Sequence, residues 1–199
     1  MNKITILTKK GDLLDTEKFS LYLKTLRLKE KETYMHSVRV SKYSTELARE
    51  LGFSEEYIAV VWLSGLLHDI GKLLVPNYIL LGTNKLSEDD YILIRRHPMD
   101  GLMYLQEFTS ERVCKGAIEH HERLDGKGYP YGIKEISLIG RIIAIADTFD
   151  AMTSNRTYQD ALSFQECLSR MEDLANANLY DKELFLHFKN VIERIYIKW

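Results

Sequence analysis

Five of the six histidines in this chain stand beside other groups that bind metals. Glu32 and His36 are four residues apart, which on a helix puts both side chains on one face. His68-Asp69 ends an apolar run as LLHDIGK, His97 directly precedes Pro98, and His120-His121 open the segment HHERLDGKGYP. Asp147 lies inside IIAIADTFDAM, flanked by Ile145, Ala146 and Phe149. Neighbouring residues on a helix point about 100° apart, so one apolar core cannot bury His120 and His121 together cheaply. A non-helical terminus, in contrast, can turn both imidazoles toward one cluster. Imidazoles mixed with carboxylates, without thiolates, suit Fe, Mn or Zn rather than Cu(I) or a thiolate zinc site.

An unpaired carboxylate in an apolar helix costs several kcal/mol, so Asp147 has to be paired, protonated or metal-bound. A salt bridge to Arg141 or Arg156 is the plain alternative. His187 serves as a control: it lies off the apolar stripe of the last helix and reads as a surface residue. Asp69, next to His68, is placed to bridge two ions about 3.5–4 Å apart. Glu32, Asp69 and Asp147 bring less negative charge than two or three divalent ions bring positive charge, and Lys72 and Arg156 add to the excess. A positive, partly dry cavity of this kind suits a phosphate ester and generates hydroxide from bound water at neutral pH.

The elements that must position these groups are helical. No alternating strand pattern persists along the 199 residues, and there is no repeat or low-complexity linker. Phe19, Leu23 and Leu26 mark one amphipathic segment, able to pack on the domain or to form a dimer seam. Val40, Leu47 and Leu51 mark a second, closed by Gly52. Ser54 is placed to cap a helix from about Glu55 to Leu67, Ser87 with Asp90 to open another, and Ser110 to cap the segment running into His120. Pro98 restarts the chain between them. ISLIGRIIAIADTFDAM (136–152) is too long for one strand and reads as a buried helix. Helices over about 163–176 and 181–197 close the chain, the last with the stripe Phe185, Phe188, Ile192 and Ile195. The expected fold is all-α, a single helical-bundle domain over 29–199, preceded by a helical extension over 1–28.

Composition narrows the partners. A net charge of −2 lacks the basic excess of a surface for long nucleic acid. The longest apolar run, IAVVWLSGLL, falls short of the ~20 residues that span a bilayer, and the start lacks the apolar core of a signal peptide. Cys114 and Cys167 form no CxxC or zinc spacing and read as small core residues in a reducing compartment, so the expected location is the cytoplasm.

In order and spacing, HSVRV (36–40), LLHDIGK (66–72), RHPMDG (96–101), HHERLDGKGYP (120–130) and IADTFDAMTSNRTY (145–158) resemble the HD-GYP family of cyclic-di-GMP phosphodiesterases, within the HD phosphohydrolase superfamily. The resemblance covers residues 30 to 190. It implies metal binding by His36, His68, Asp69, His97, His120, His121 and Asp147, with Asp69 as the bridging carboxylate and two or three divalent ions, Fe or Mn. Glu32 matches the position that goes with a third metal. It further implies that Lys72 and Arg156 contact the phosphodiester, that Asp150 and Tyr158 border the guanine or sugar region, and that Tyr129 of the GYP loop recognises substrate or partner. The implied reaction is hydrolysis of cyclic-di-GMP to pGpG, and on to GMP with a third ion, through a metal-bridging hydroxide.

Two departures stand out. Arg156-Thr157-Tyr158 replaces R-P-Y, and Gln159 and Asp160 follow where a basic residue is usual, which bears on substrate affinity more than on catalysis. The family often carries a sensory or receiver domain before these motifs, and none is read here. The expectation is a stand-alone protein or one whose regulatory input binds as a separate chain, with a signalling partner or a homodimer as expected partners. Three rival readings stay open at this stage. One is a different substrate, 3′,3′-cyclic GMP-AMP or another nucleotide. The second is di-iron oxygenase chemistry, against which Lys72 and Arg156 argue. The third is a non-catalytic cyclic-di-GMP-binding module.

Overall fold

Serine side chains close the helix starts that the sequence marks. Ser54, Ser87 and Ser110 accept hydrogen bonds from the backbone N–H groups of Tyr57, Asp90 and Val113, and Asp90 returns the bond to the Ser87 backbone to complete a capping box. Ser163 and Glu166 form a second such box. The computed structural model describes residues 15–82, 85–154 and 161–196. Its helices are α1 (Thr16–Lys29), α2 (Lys31–Glu50), α3 (Glu55–Leu67), a 3-10 turn (Ile70–Leu74), α4 (Asn77–Leu80), α5 (Glu88–Arg95), α6 (His97–Leu105), α7 (Glu111–Glu119), α8 (Leu138–Thr153), α9 (Phe164–Asn176) and α10 (Lys182–Tyr196). Among the described residues there is no strand, as the helical periodicity predicts.

The apolar run in the last third of the chain becomes the central helix. Helices α2, α3, α7, α9 and α10 all pack on α8. This surrounds Ile142, Ile143, Ile145, Ala146 and Phe149 so completely that each is fully buried. A helix hydrophobic all round has to be enclosed in this way. Phe185, Phe188 and Ile192 of α10 enter the same core, and Cys114 and Cys167 are free and buried in it. Glu55–Leu74 has a mean hydropathy of 1.3 and is, by length and composition alone, apolar enough to cross a bilayer. Two thirds of it (67%) is buried in the protein, which accounts for its apolar character as core. His187, expected at the surface, is half-buried.

Phe19, Leu23 and Leu26 of α1 face the domain itself. Leu26 is fully buried, Phe19 packs on Trp62 with ring centroids 6.5 Å apart, and Tyr22 stacks on Phe108 at 5.3 Å. These contacts place the α1 stripe against the domain, with Phe19 and Leu23 half-buried.

Candidate metal centre

Helix ends deliver most of the chemistry-bearing side chains. His68 is the C-terminal cap of α3 and Asp69 follows it; His97 is the first residue of α6. His120 caps the end of α7, and His121 lies in the turn beyond. His36 comes from the second turn of α2 and Asp147 from within α8. Their ligand atoms form two clusters, His36/His68/Asp147 and His97/His120/His121, joined by a third group, His68/Asp69/His120, each with all donors within 4.8 Å of one another. Asp69 lies between the clusters. Its Oδ2 is 3.6 Å from His36 Nε2 and 3.4 Å from His68 Nε2, while its Oδ1 is 3.2 Å from His97 Nε2. One oxygen therefore faces each cluster, the arrangement a bridging carboxylate requires.

Hydrogen bonds behind the rings decide which nitrogens are free to bind a metal. Nδ1 of His68, His97 and His120 lies 2.8, 2.8 and 2.6 Å from the carbonyls of Gly65, Ile94 and Ala117. A carbonyl only accepts, so each Nδ1 carries the proton and each neutral ring presents a bare Nε2. His97 Nε2 and His120 Nε2 then face each other at 3.2 Å with no proton between them. His68 Nε2 is buried without a hydrogen-bond partner. Converging buried lone pairs repel unless a cation lies among them, so the residues present fit a metal centre. Backbone bonds behind the ligand rings are the usual way such histidines are oriented.

The electrostatics agree. Burial holds His97 down to about 4 and, with its histidine neighbours, holds His120 well below the usual imidazole range; burial does the same for His121. Neutral imidazole is the form that ligates. His36 moves the other way: burial would lower it, but hydrogen bonds to Asp147 and Asp150 raise it. Burial would raise Asp69, yet Lys72, His68 and His97 keep its carboxyl well below the ordinary range, and His36 does the same for Asp147.

These shifts predict how the metal-free protein responds to acid. An unfolded histidine titrates near 6.5, whereas folded His97 titrates near 4, so the folded state binds fewer protons between those values. The stability His97 contributes is present above pH 6.5 and is lost as pH falls toward 4, at a cost of about 3 kcal/mol. His120 and His121 act in the same direction, and His36 opposes them. The urea midpoint of metal-stripped protein should therefore fall steadily from pH 7 to pH 4.5; a flat or rising midpoint would contradict this assignment.

The structure removes one alternative for Asp147 and shows what engages Asp150. Arg141 bonds Asp181 at 2.5 Å, so it is not the partner of Asp147, whose Oδ1 instead lies 3.0 Å from His36 Nε2. Asp150, expected at the substrate border, is 1% exposed, and both its oxygens are engaged inside the protein. Its Oδ2 is 2.7 Å from His36 Nδ1 and its Oδ1 accepts from Arg39 Nε at 2.6 Å. It holds the His36 ring from behind, and it also lines the cavity of about 340 Å³ beside His36. Arg39, three residues after His36 and so on a neighbouring face of α2, was signalled by nothing but that spacing.

Lys72 Nζ is 2.6 Å from Asp69 Oδ2 and lines two cavities, one of about 380 Å³ with His121 and Asp147 in its wall, the other of about 340 Å³ with Glu32 and His36. Glu32 is exposed one turn before His36 and is not in either donor cluster. Arg156 and Tyr158 lie outside the described residues.

The loop after His121 is tied to the centre. Tyr129 stacks on the His121 ring at 4.5 Å, has the Arg95 guanidinium 5.4 Å from its ring centroid, and donates its backbone N–H to His121 O at 3.1 Å. Glu122, which the sequence reading passed over, is 1% exposed and accepts from the backbone N–H groups of Tyr131, Gly132 and Ile133. It binds the loop back onto the end of α7. At Gly128 a Cβ would sit 2.4 Å from the Glu122 Cα, so this turn can close only over glycine.

A family model described as an HD domain matches residues 20–184. A 3′3′-cGAMP-specific phosphodiesterase from Vibrio cholerae is 42% identical over 77% of this chain and 36% of its own length. A cyclic di-GMP phosphodiesterase from Pseudomonas aeruginosa is 38% identical over 86% of this chain and 42% of its own. The chain thus spans less than half the length of these relatives. Among solved structures, the HD domain of the phosphodiesterase PgpH from L. monocytogenes, in complex with cyclic-di-AMP, superposes with a TM-score of 0.67 at 19% identity, covering 86% of this chain and 92% of that one. The latter likeness concerns the fold alone. With the His/Asp clusters in place, the chain belongs to the HD domain family, and its motifs are those of the HD-GYP group within it.

Proposed function

We propose that this chain is a metal-dependent phosphodiesterase that opens cyclic-di-GMP to pGpG. The observation that supports this most is the pair of donor clusters joined by Asp69 with a lysine at the rim. His36, His68, Asp147 and Asp69 would hold one ion, and His97, His120, His121 and Asp69 the other, with Fe or Mn favoured by the imidazole-carboxylate donor set. When bound, such ions supply charge stabilisation for a phosphoryl group and a water that is deprotonated at neutral pH. Lys72, held beside the centre by Asp69, offers its ammonium to a non-bridging phosphate oxygen. Asp150 and Arg39 keep His36 oriented, and the Tyr129 stack keeps His121 oriented. Arg156 and Tyr158 are further substrate contacts in this reading. Glu32, lining the second cavity with His36, is the candidate ligand for a third ion and a second cut to GMP. The buried free thiols of Cys114 and Cys167 accord with a cytoplasmic setting.

A second substrate has a specific observation in its favour: the Vibrio cholerae relative at 42% identity is named as specific for 3′3′-cGAMP. One experiment separates the readings. The protein is reconstituted anaerobically with Fe(II) or Mn(II), its metal counted, and the products of cyclic-di-GMP and 3′,3′-cyclic GMP-AMP followed by chromatography. Two or three ions per chain with pGpG as product is the expected result. No turnover of either compound with two ions bound would overturn the enzymatic reading, and tight binding without turnover would establish the signalling module instead. Loss of one ion and of GMP in Glu32→Ala is expected if the third site exists.

A further inference from the structure

The cavity of about 380 Å³ contains more positive charge than one phosphate needs. The carboxylates in its wall, Asp69 and Asp147, both belong to the metal centre, and Lys72 is already paired with Asp69. Two guanidiniums from other elements complete the wall, Arg123 from the loop after α7 and Arg170 from α9. Arg123 is held rigidly: its Nη1 donates to His120 O at 3.0 Å and Glu122 O at 2.7 Å, and its guanidinium lies 4.8 Å over the Tyr180 ring. Arg170 is exposed and makes no ion pair or hydrogen bond among the described residues. Among the described residues neither arginine has a carboxylate partner, and planar guanidiniums are suited to phosphate oxygens.

We infer that Arg170, with Arg123 beside it, forms a second phosphate subsite that takes the non-reacting phosphodiester of a cyclic dinucleotide while the other lies at Asp69 and Lys72. This rests on the reading of the substrate as a cyclic dinucleotide, whose two phosphates sit on opposite sides of one macrocycle. The second cavity does not offer the same service. Its arginine, Arg39, is committed to Asp150, its acidic groups are Glu30, which caps α2, and Glu32, and beside the shared Lys72 the residues Val75, Ile79 and Ile94 make much of the rest of its wall apolar. An anion is attracted to the first cavity and repelled by the acidic edge of the second.

The test compares a substrate with two phosphates against one with a single phosphate. Metal-loaded wild type, Arg170→Ala, Arg170→Lys and Arg170→Glu are assayed on cyclic-di-GMP and on bis-p-nitrophenyl phosphate. Losing a charge-assisted contact should raise KM for cyclic-di-GMP roughly ten- to hundredfold in Arg170→Ala. Turnover of bis-p-nitrophenyl phosphate should be unchanged, Arg170→Lys should recover part of the loss, and Arg170→Glu should deepen it. Calorimetric binding of cyclic-di-GMP to the metal-stripped protein should weaken by a similar factor. An unchanged KM, or equal losses on both substrates, overturns the subsite. Wild type that cleaves bis-p-nitrophenyl phosphate but no cyclic dinucleotide overturns the substrate reading, and the subsite with it.

Discussion

Asp69→Asn is expected to leave no more than one metal ion per chain and to reduce phosphodiester hydrolysis by ~10³-fold or more, because several kcal/mol of charge stabilisation depend on the paired ions. Asparagine keeps the size of the side chain and one of its oxygens. It cannot place negative charge against both clusters, since the group replacing Oδ1 or Oδ2 is an amide whose hydrogens point at His97 or at His36 and His68. Lys72 also loses the carboxylate that holds its ammonium 2.6 Å away, so the cation proposed to meet the phosphate is released from the centre at the same time. Metal content by mass spectrometry and turnover of cyclic-di-GMP check both halves. Two ions per chain with activity within tenfold of wild type would show that Asp69 does not bridge.

How much of this was legible beforehand depends on whether the information is local. Ser54, Ser87 and Ser110 announce helix starts because a cap acts within its own turn, and the structure has all three in place. His68, His97, His120 and His121 could be read as ligands because imidazoles at helix ends have few other uses in such numbers. The partner of a charge is a different kind of fact. Arg141 and Asp147 are six residues apart, yet α8 turns Arg141 outward to Asp181, and only the packing of α10 shows it. Asp150 carries the same letter as Asp147 and sits one turn later, but its place behind His36 depends on α2 crossing α8, over a separation of 114 residues. Glu122 was hidden by its neighbours: after two histidines a glutamate reads as a third ligand or as a loop residue, and nothing in the string says that three backbone N–H groups will converge on it. Arg123 and Arg170 belong to no local pattern at all. Their common cavity exists only once α9 lies against α8.

Gly71 shows the same limit and yields the second large effect. In LLHDIGK it looks like a flexible residue shortly after Asp69, but the structure uses its missing side chain as space. A Cβ there would lie 1.9 Å from His97 O and 2.5 Å from Gly101 N, both backbone atoms that cannot swing aside. Gly→Ala at a compatible position stabilises a protein by about 0.4–1 kcal/mol through the unfolded chain. Overpacking costs roughly 1–3 kcal/mol or more, and a backbone clash this close belongs at or above the upper end, so the steric term prevails. The only relief is for α6 to move away from the 3-10 turn, and the first residue of α6 is His97. Gly71→Ala should therefore lower Tm by roughly 10 °C, from a loss of about 3 kcal/mol in a chain of this size. It should also open the His97/His120/His121 cluster, and a misplacement of about 1 Å is enough to cost ~10² in rate. Gly101→Ala is the control on the opposite side of the same contact: its nearest neighbour is Gly71 N at 3.3 Å, a separation that a shift of a few tenths of an ångström accommodates. Helix content by circular dichroism distinguishes a displaced α6 from an unfolded chain, since the first retains its helices and loses metal. Wild-type Tm and metal content in Gly71→Ala would mean that the 3-10 turn can slide without carrying His97 with it.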